Sequence, residues 1–216
     1  MSSTAEQSRA AAAIAAAEQR SAANHLGMWT FLATEILFFG GLLAAYAIYR
    51  HAYPEAFRIG SSHLEYWIGT TNTAVLLTSS LFMALGDRAI KLGDRRALRW
   101  CLLATALLGA AFICLKGYEY WGMYREHLVP GINFHLDSAW APQVQLFTFF
   151  YFALTALHAV HMLIGLGLIS WLLWLNHRAR LSAVHTAPVE IVGLYWHFVD
   201  CVWVFLYPLL YLVAHR

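Results

Sequence analysis

The stretch MWTFLATEILFFGGLLAAY, Met28 to Tyr46, holds one carboxylate, Glu35, and no other charged residue. Everything around that acid suits hydrocarbon. A bilayer core about 30 Å thick needs roughly 20 apolar residues as a helix, and the segment from about Gly27 to Tyr49 supplies them. Glu35 lies eight residues past Gly27, so about 12 Å along such a helix. An ionisable group at that depth costs about 2.5 to 3.5 kcal/mol on insertion scales. It therefore serves a purpose or is satisfied by a neighbouring helix.

The same pattern recurs along the chain. Apolar runs from about Trp67 to Leu85, Leu98 to Leu115, Leu146 to Leu175 and Ile191 to Val213 bring the total to five spans. No period-two pattern appears, and in lipid the backbone must satisfy its own polar groups, so the spans are helices. The predicted fold is all-α, a polytopic membrane bundle of five transmembrane helices. Composition agrees. Of 216 residues, 60% are hydrophobic and 12% charged, where soluble domains carry about a quarter charged. A net charge of +2 and no basic face argue against a nucleic-acid partner. Cys101, Cys114 and Cys201 form no CxxC pair and read as small buried hydrophobes.

The first residues, MSSTAEQSRAAAAIAAAEQR, have an apolar part that is short and mostly alanine, too weak for a signal core or a span. Residues 1–24 read as a polar tail or surface helix, and residues 25–216 as the membrane domain. With the N-terminus in the cytoplasm, Arg9, Arg20, Arg88, Lys91, Arg95, Arg96, Arg99, Arg178 and Arg180 lie inside. Only Arg50, Arg58, Lys116, Arg125 and Arg216 lie outside. Lys and Arg favour the cytoplasmic side, so the N-terminus is placed inside. The long segment from about Tyr118 to Gln145 is then an external, irregular loop.

Other polar residues fall inside spans, and each has a functional and a structural reading. Glu35 is assigned a proton-linked or partner-facing role, against a simple hydrogen bond to another helix. His158 and His161, three apart in TALHAVHMLIGLG, share a helix face. They cannot supply both axial ligands of one haem, so helix–helix hydrogen bonding or headgroup contact beside the small residues of IGLGL is preferred. His197 and Asp200, also three apart, are expected to pair, each easing the burial of the other. Trp196 and Trp203 share that face and suit the membrane interface. Cys201 points about 100° away from Asp200 on a helix, a poor geometry for a nucleophile. Lys116 and Glu119 are expected to pair near the external interface, beside snorkelling aromatic residues. No GxxxxGK[ST], GxGxxG, HExxH or ExxH motif is present. No catalytic or metal-ligand set is expected on the chain.

Taken together, several segments resemble one family. LGMWTFLATEILFFGGLLAAY (Leu26–Tyr46) resembles the glutamate-bearing helix of subunit III of haem–copper oxidases. NTAVLLTSS (Asn72–Ser80) is similar to the helix that follows, and GDRAIKLGDRRALRWCLLATALLGAAFICLKGYEY (Gly86–Tyr120) to the next loop and helix. FALTALHAVHMLIGL (Phe152–Leu166) and YWHFVDCVWVFLYPLLY (Tyr195–Tyr211) resemble the last two. The resemblance runs from about His25 to Tyr211 and is to the five-helix form, which lacks the first two of seven helices.

That resemblance implies a non-catalytic accessory subunit, of the cytochrome c oxidase branch. Haem and copper would reside in partner subunits I and II, with no cofactor here except bound phospholipids. Subunit I is the main expected contact, with subunit II, subunit IV or other respiratory complexes further out, in the inner (plasma) membrane of a bacterium. The subunit would stabilise subunit I, support proton uptake and hold structural lipids. Glu35 takes the position of the family's carbodiimide-reactive glutamate. His158 and His161 match its HxxH, and Trp196, His197, Asp200 and Trp203 its WHFVD–W motif, all read as packing and lipid contacts. Missing helices would come from a partner or a fused segment of subunit I. Alternatives are a quinol-oxidase or nitric-oxide-reductase-associated subunit III, an independent membrane haem protein, and, last, a transporter.

Overall fold

The computed structural model describes residues 2–179, 181 and 186–214, and the side chains among them at residue 19 and from residue 22 onward. Six helices follow in order: α1 Ser2–Ala52, α2 Pro54–Ser62, α3 Tyr66–Lys91, α4 Arg95–Arg125, α5 Ala141–His177 and α6 Ala187–Tyr211. Five have the length and hydropathy to cross a membrane, counting residues Ala22–Ala52 of α1. Every expected span falls on one of them. The last ends at Tyr211, two residues before the predicted limit. Arg180 and Arg216, counted for orientation, lie outside the described residues.

Helix α2 was not anticipated, being too short and polar for a span. Pro54 opens it, where a missing N–H costs nothing. Glu55 sits in its first turn and pairs with Arg58 at 2.6 Å. It buries Ala56, Phe57, Gly60 and Ser61, one face of a short amphipathic helix. Gly60 presses its backbone on the Phe147 ring, leaving no room for a Cβ.

The reversal between α3 and α4 is written in LGDRR. Gly93 takes φ +77°, where a Cβ would clash. Asp94 then caps α4, its Oδ1 accepting from the backbone N–H groups of Arg96 (3.0 Å) and Ala97 (2.9 Å). The longer connection between α4 and α5 is irregular, as expected, but shorter. Helix α4 continues to Arg125, so the loop begins at Glu126 and closes on itself through His135 N–H to the His127 carbonyl, 2.8 Å.

Helix α6 is the most enclosed element, packing on α3, α5 and α1. Trp196 and Trp203 are wholly buried on it. A Cβ added to Gly109 of α4 would stand 2.7 Å from the Trp196 ring, and one on Gly165 of α5 2.8 Å from it. Two helices thus close on one indole through bare backbone. Against α3, α6 runs antiparallel with four polar rungs. Ser80 meets His197 Nδ1 at 2.6 Å and Trp196 Nε1 donates to Ser79 Oγ at 2.9 Å. Trp203 Nε1 donates to Thr73 Oγ1 at 3.1 Å, and the Thr70 and Tyr207 hydroxyls lie 2.7 Å apart. At its C-terminal end, where helix carbonyls lack partners, Tyr46 of α1 donates to the Leu209 carbonyl and Ser61 of α2 to that of Leu210. Helix α1 contributes a narrow stripe, Leu32, Phe39 and Tyr46, and turns Trp29, Ile36, Leu37 and Ile48 outward.

Candidate functional site

Among the described residues, two ion-paired centres lie between the spanning helices. The first gathers around Lys116, an aliphatic stem and ammonium only 3% exposed. Helical spacing brings Glu119 under it on α4, and Lys116 Nζ donates to Glu119 Oε2 at 2.7 Å. The same nitrogen donates to the hydroxyls of Tyr151 from α5 (2.9 Å) and Tyr211 from α6 (2.8 Å). Tyr211 in turn donates to the Glu119 carboxylate, 2.7 and 2.8 Å from its two oxygens. The rings of Tyr120, Tyr151, Trp203 and Tyr211 surround the nitrogen, their centroids 4.8 to 5.5 Å away. Every donor on the lysine has an oxygen, which is the condition for a buried ion pair to be tolerated.

The expected Lys116–Glu119 pair forms, and the bundle encloses it. Helix α4 extends through Arg125, and α5 and α6 cover that face, so the pair is buried. Tyr118 and Trp121, on the opposite face, remain exposed.

The second centre joins α1 to α5. His161 Nε2 stands 3.2 Å from Glu35 Oε2, while its Nδ1 lies 2.8 Å from the Leu157 carbonyl. Phe39 closes edge-on against the imidazole at 5.5 Å. Glu35 is thus held on the inner stripe of α1, partly accessible, with an imidazole as its partner.

His158, three residues back, has a different setting. It is wholly enclosed between Phe112 of α4 (5.4 Å) and Trp203 of α6 (5.2 Å), and neither ring nitrogen has a hydrogen-bond partner. Headgroup contact is therefore excluded for His158, and His161 is turned to Glu35 instead. Trp196 and Trp203 are likewise core residues with hydroxyl partners, not interface anchors, because α3, α4 and α5 surround α6 on that face.

The expected His197–Asp200 pair does not form. His197 is bonded to Ser80, across the helix interface, and Asp200 is buried with neither carboxyl oxygen in a well-formed hydrogen bond. Ser80 also faces Asp200, and the imidazole tautomer decides whether its hydroxyl donates to His197 Nδ1 or accepts from it. The cysteines differ from expectation too. Cys114 and Cys201 face outward, and Cys101 is half-buried against Gly86 of α3. Sequence reasoning missed Tyr151, Tyr211 and Ser80 as partners; the lone tyrosine within the apolar run TFFYF was the available signal for the first.

Among the described residues no three His, Cys, Asp or Glu side chains converge as a metal would require.

Comparison with known proteins gives a consistent set of relatives. A family model described as cytochrome c oxidase subunit III matches residues 15–215. Cytochrome c oxidase subunit 3 of Thermostichus vulcanus is 32% identical over 215 residues, covering 99% of each chain. That of Synechocystis sp. is 34% identical over 188 residues, covering 87% of this chain and 74% of the relative. A probable quinol oxidase subunit 3 of Staphylococcus haemolyticus is 28% identical over 191 residues, covering 88% and 89%.

Proposed function

The chain belongs to the cytochrome c oxidase subunit III family and is a subunit III of a haem–copper oxidase, a premise from which we propose that it works without a redox centre of its own. In this reading haem and copper sit in subunits I and II, and this chain stabilises subunit I while oxygen is reduced to water. Glu35 is its titratable group, carried at the α1–α5 contact and oriented by His161. The Glu35–His161 contact of 3.2 Å carries the proposal. It places a partly accessible acid and a base together within a span, where such groups are expensive and by default functional. Proton uptake into subunit I is supported from that pair, and lipids are held along the outward apolar side of α1.

Subunit I is the main partner, with subunit II, and subunit IV or other respiratory complexes beyond. The membrane is the plasma membrane of a bacterium with the N-terminus inside, as the Lys and Arg distribution favours. Cytochrome c is the preferred electron donor, because the relatives named for it are 32% and 34% identical, against 28% and 27% for those named quinol oxidase.

Purification in mild detergent tests this. The chain should travel with a haem-bearing subunit I, and the isolated chain should show no Soret band. One haem per isolated chain contradicts it.

A further inference from the structure

The start of α4 and the end of α5 enclose a groove of about 490 Å³ lined by Arg95, Arg96, Arg99, Leu103, Leu173 and Asn176. Arg95, Arg99 and Leu103 recur every four residues on one face of α4, with Arg96 beside them. Asn176 Nδ2 donates to the Arg95 carbonyl at 3.2 Å and ties the two helix ends together. Three cations therefore crowd one rim of a groove whose floor is aliphatic.

Among the described residues none of these arginines forms an ion pair. The acid at that turn, Asp94, directs its Oδ1 to the backbone N–H groups of Arg96 and Ala97. Like charges four residues apart on a helix, as at Arg95 and Arg99, repel. The helix N-terminus beneath adds further positive potential.

The level of the groove is fixed by a separate observation. Trp100, Trp171 and Trp174 lie at the same ends of α4 and α5, all exposed. Exposed tryptophans collect at the depth of lipid headgroups. Below that depth the exposed surface of both helices is apolar, including Leu107 and Leu163.

We propose that this groove binds an anionic diacyl phospholipid, its phosphodiester held by Arg95, Arg96 and Arg99 and its acyl chains lying along Leu103 and Leu173. Guanidinium suits a phosphate because its N–H groups reach two oxygens at once. Basic pockets between transmembrane helices take such headgroups. The site is separate from the Glu35 and Lys116 centres and does not depend on the role given to either.

The test is native mass spectrometry of the intact oxidase containing this chain, titrated with phosphatidylglycerol and phosphatidylcholine of equal acyl length. The wild type should hold phosphatidylglycerol in preference. The R95Q/R96Q/R99Q variant should hold one such lipid fewer, with a preference reduced roughly a hundredfold, from about fivefold per basic side chain near the membrane surface. The R95K/R96K/R99K variant keeps the charge and should retain most of the preference, which separates lost binding from lost folding. Excess inorganic phosphate should leave the lipid bound. Equal retention of the two lipids by the wild type overturns the proposal. So does equal binding by the Gln and Lys variants, or displacement by inorganic phosphate. A Gln variant that leaves the complex with its lipid count unchanged also overturns it, and points to an acidic protein segment as the occupant.

Discussion

Glu35 on α1 and His161 on α5 meet at 3.2 Å, and theirs is the single ion-pair contact among the described residues that joins those two helices. Helix α1 otherwise meets the bundle through a narrow apolar stripe, the Tyr46 hydroxyl on the Leu209 carbonyl, and His25 3.8 Å from Glu190 of α6. The contact thus orients the most loosely attached span and sets the one acid within it beside a base.

Glu35→Gln should preserve assembly, since the amide keeps the shape and a hydrogen bond to His161. It should abolish carbodiimide labelling of this chain and shorten sustained turnover. Peptide mapping of the labelled oxidase checks the first. Wild-type labelling at another residue would move the titratable role elsewhere.

Lys116→Met removes the cation from Glu119, Tyr151 and Tyr211 together. Breaking one partner of a buried pair costs about 3 to 5 kcal/mol. The chain should dissociate from the oxidase at lower temperature or detergent concentration. Adding Glu119→Leu should recover much of the loss, because two apolar groups leave no buried charge. No recovery in the double variant would show that the tyrosines, not the ion pair, carry the stability.

Gly165→Ala puts a methyl where the Trp196 ring lies, 2.8 Å from the new carbon. Gly109 of α4 presses the same indole, so the ring has no free direction in which to move. Overpacking of this kind costs about 1 to 3 kcal/mol. Gly167→Ala, with open space around it, should be silent. Thermal unfolding of the two variants side by side gives the comparison.

Ser80→Ala should affect His197 more than any change at Asp200 does. The serine is the imidazole's hydrogen-bond partner, and a lost bond of this kind is worth about 0.5 to 1.5 kcal/mol. Asp200→Asn, which alters a side chain with no well-formed bond, should be tolerated. Imidazole chemical shifts in a labelled sample report which of the two disturbs His197.

The setting of His197 shows what sequence could and could not reveal. Apolar length alone located all five spans, because lipid thickness imposes it on any helix. Spacing placed His197 and Asp200 on one face correctly. It could not say which residue on another helix would face them, and Ser80 on α3 took the imidazole. Lys116 and Glu119 were legible as a pair, but their enclosure by neighbouring helices was not. Enclosure depends on α5 and α6 crossing above them, which no local pattern encodes. Helix α2 left only a proline and an acid as signs. The irregular loop was anticipated from its Pro, Gly and Asn, yet α4 ran further than its hydropathy suggested, because the Lys116 cluster makes polar residues at its end part of the core.

Stripping this chain from the purified oxidase, and then following oxygen uptake and metal content, puts the scaffold reading most directly at risk. The account predicts that the haem and copper of the remaining complex stay unchanged and that initial oxygen reduction persists. The activity should then decay faster with each turnover. Loss of haem or copper in proportion to this chain would contradict it, as would a decay rate equal to that of the intact oxidase.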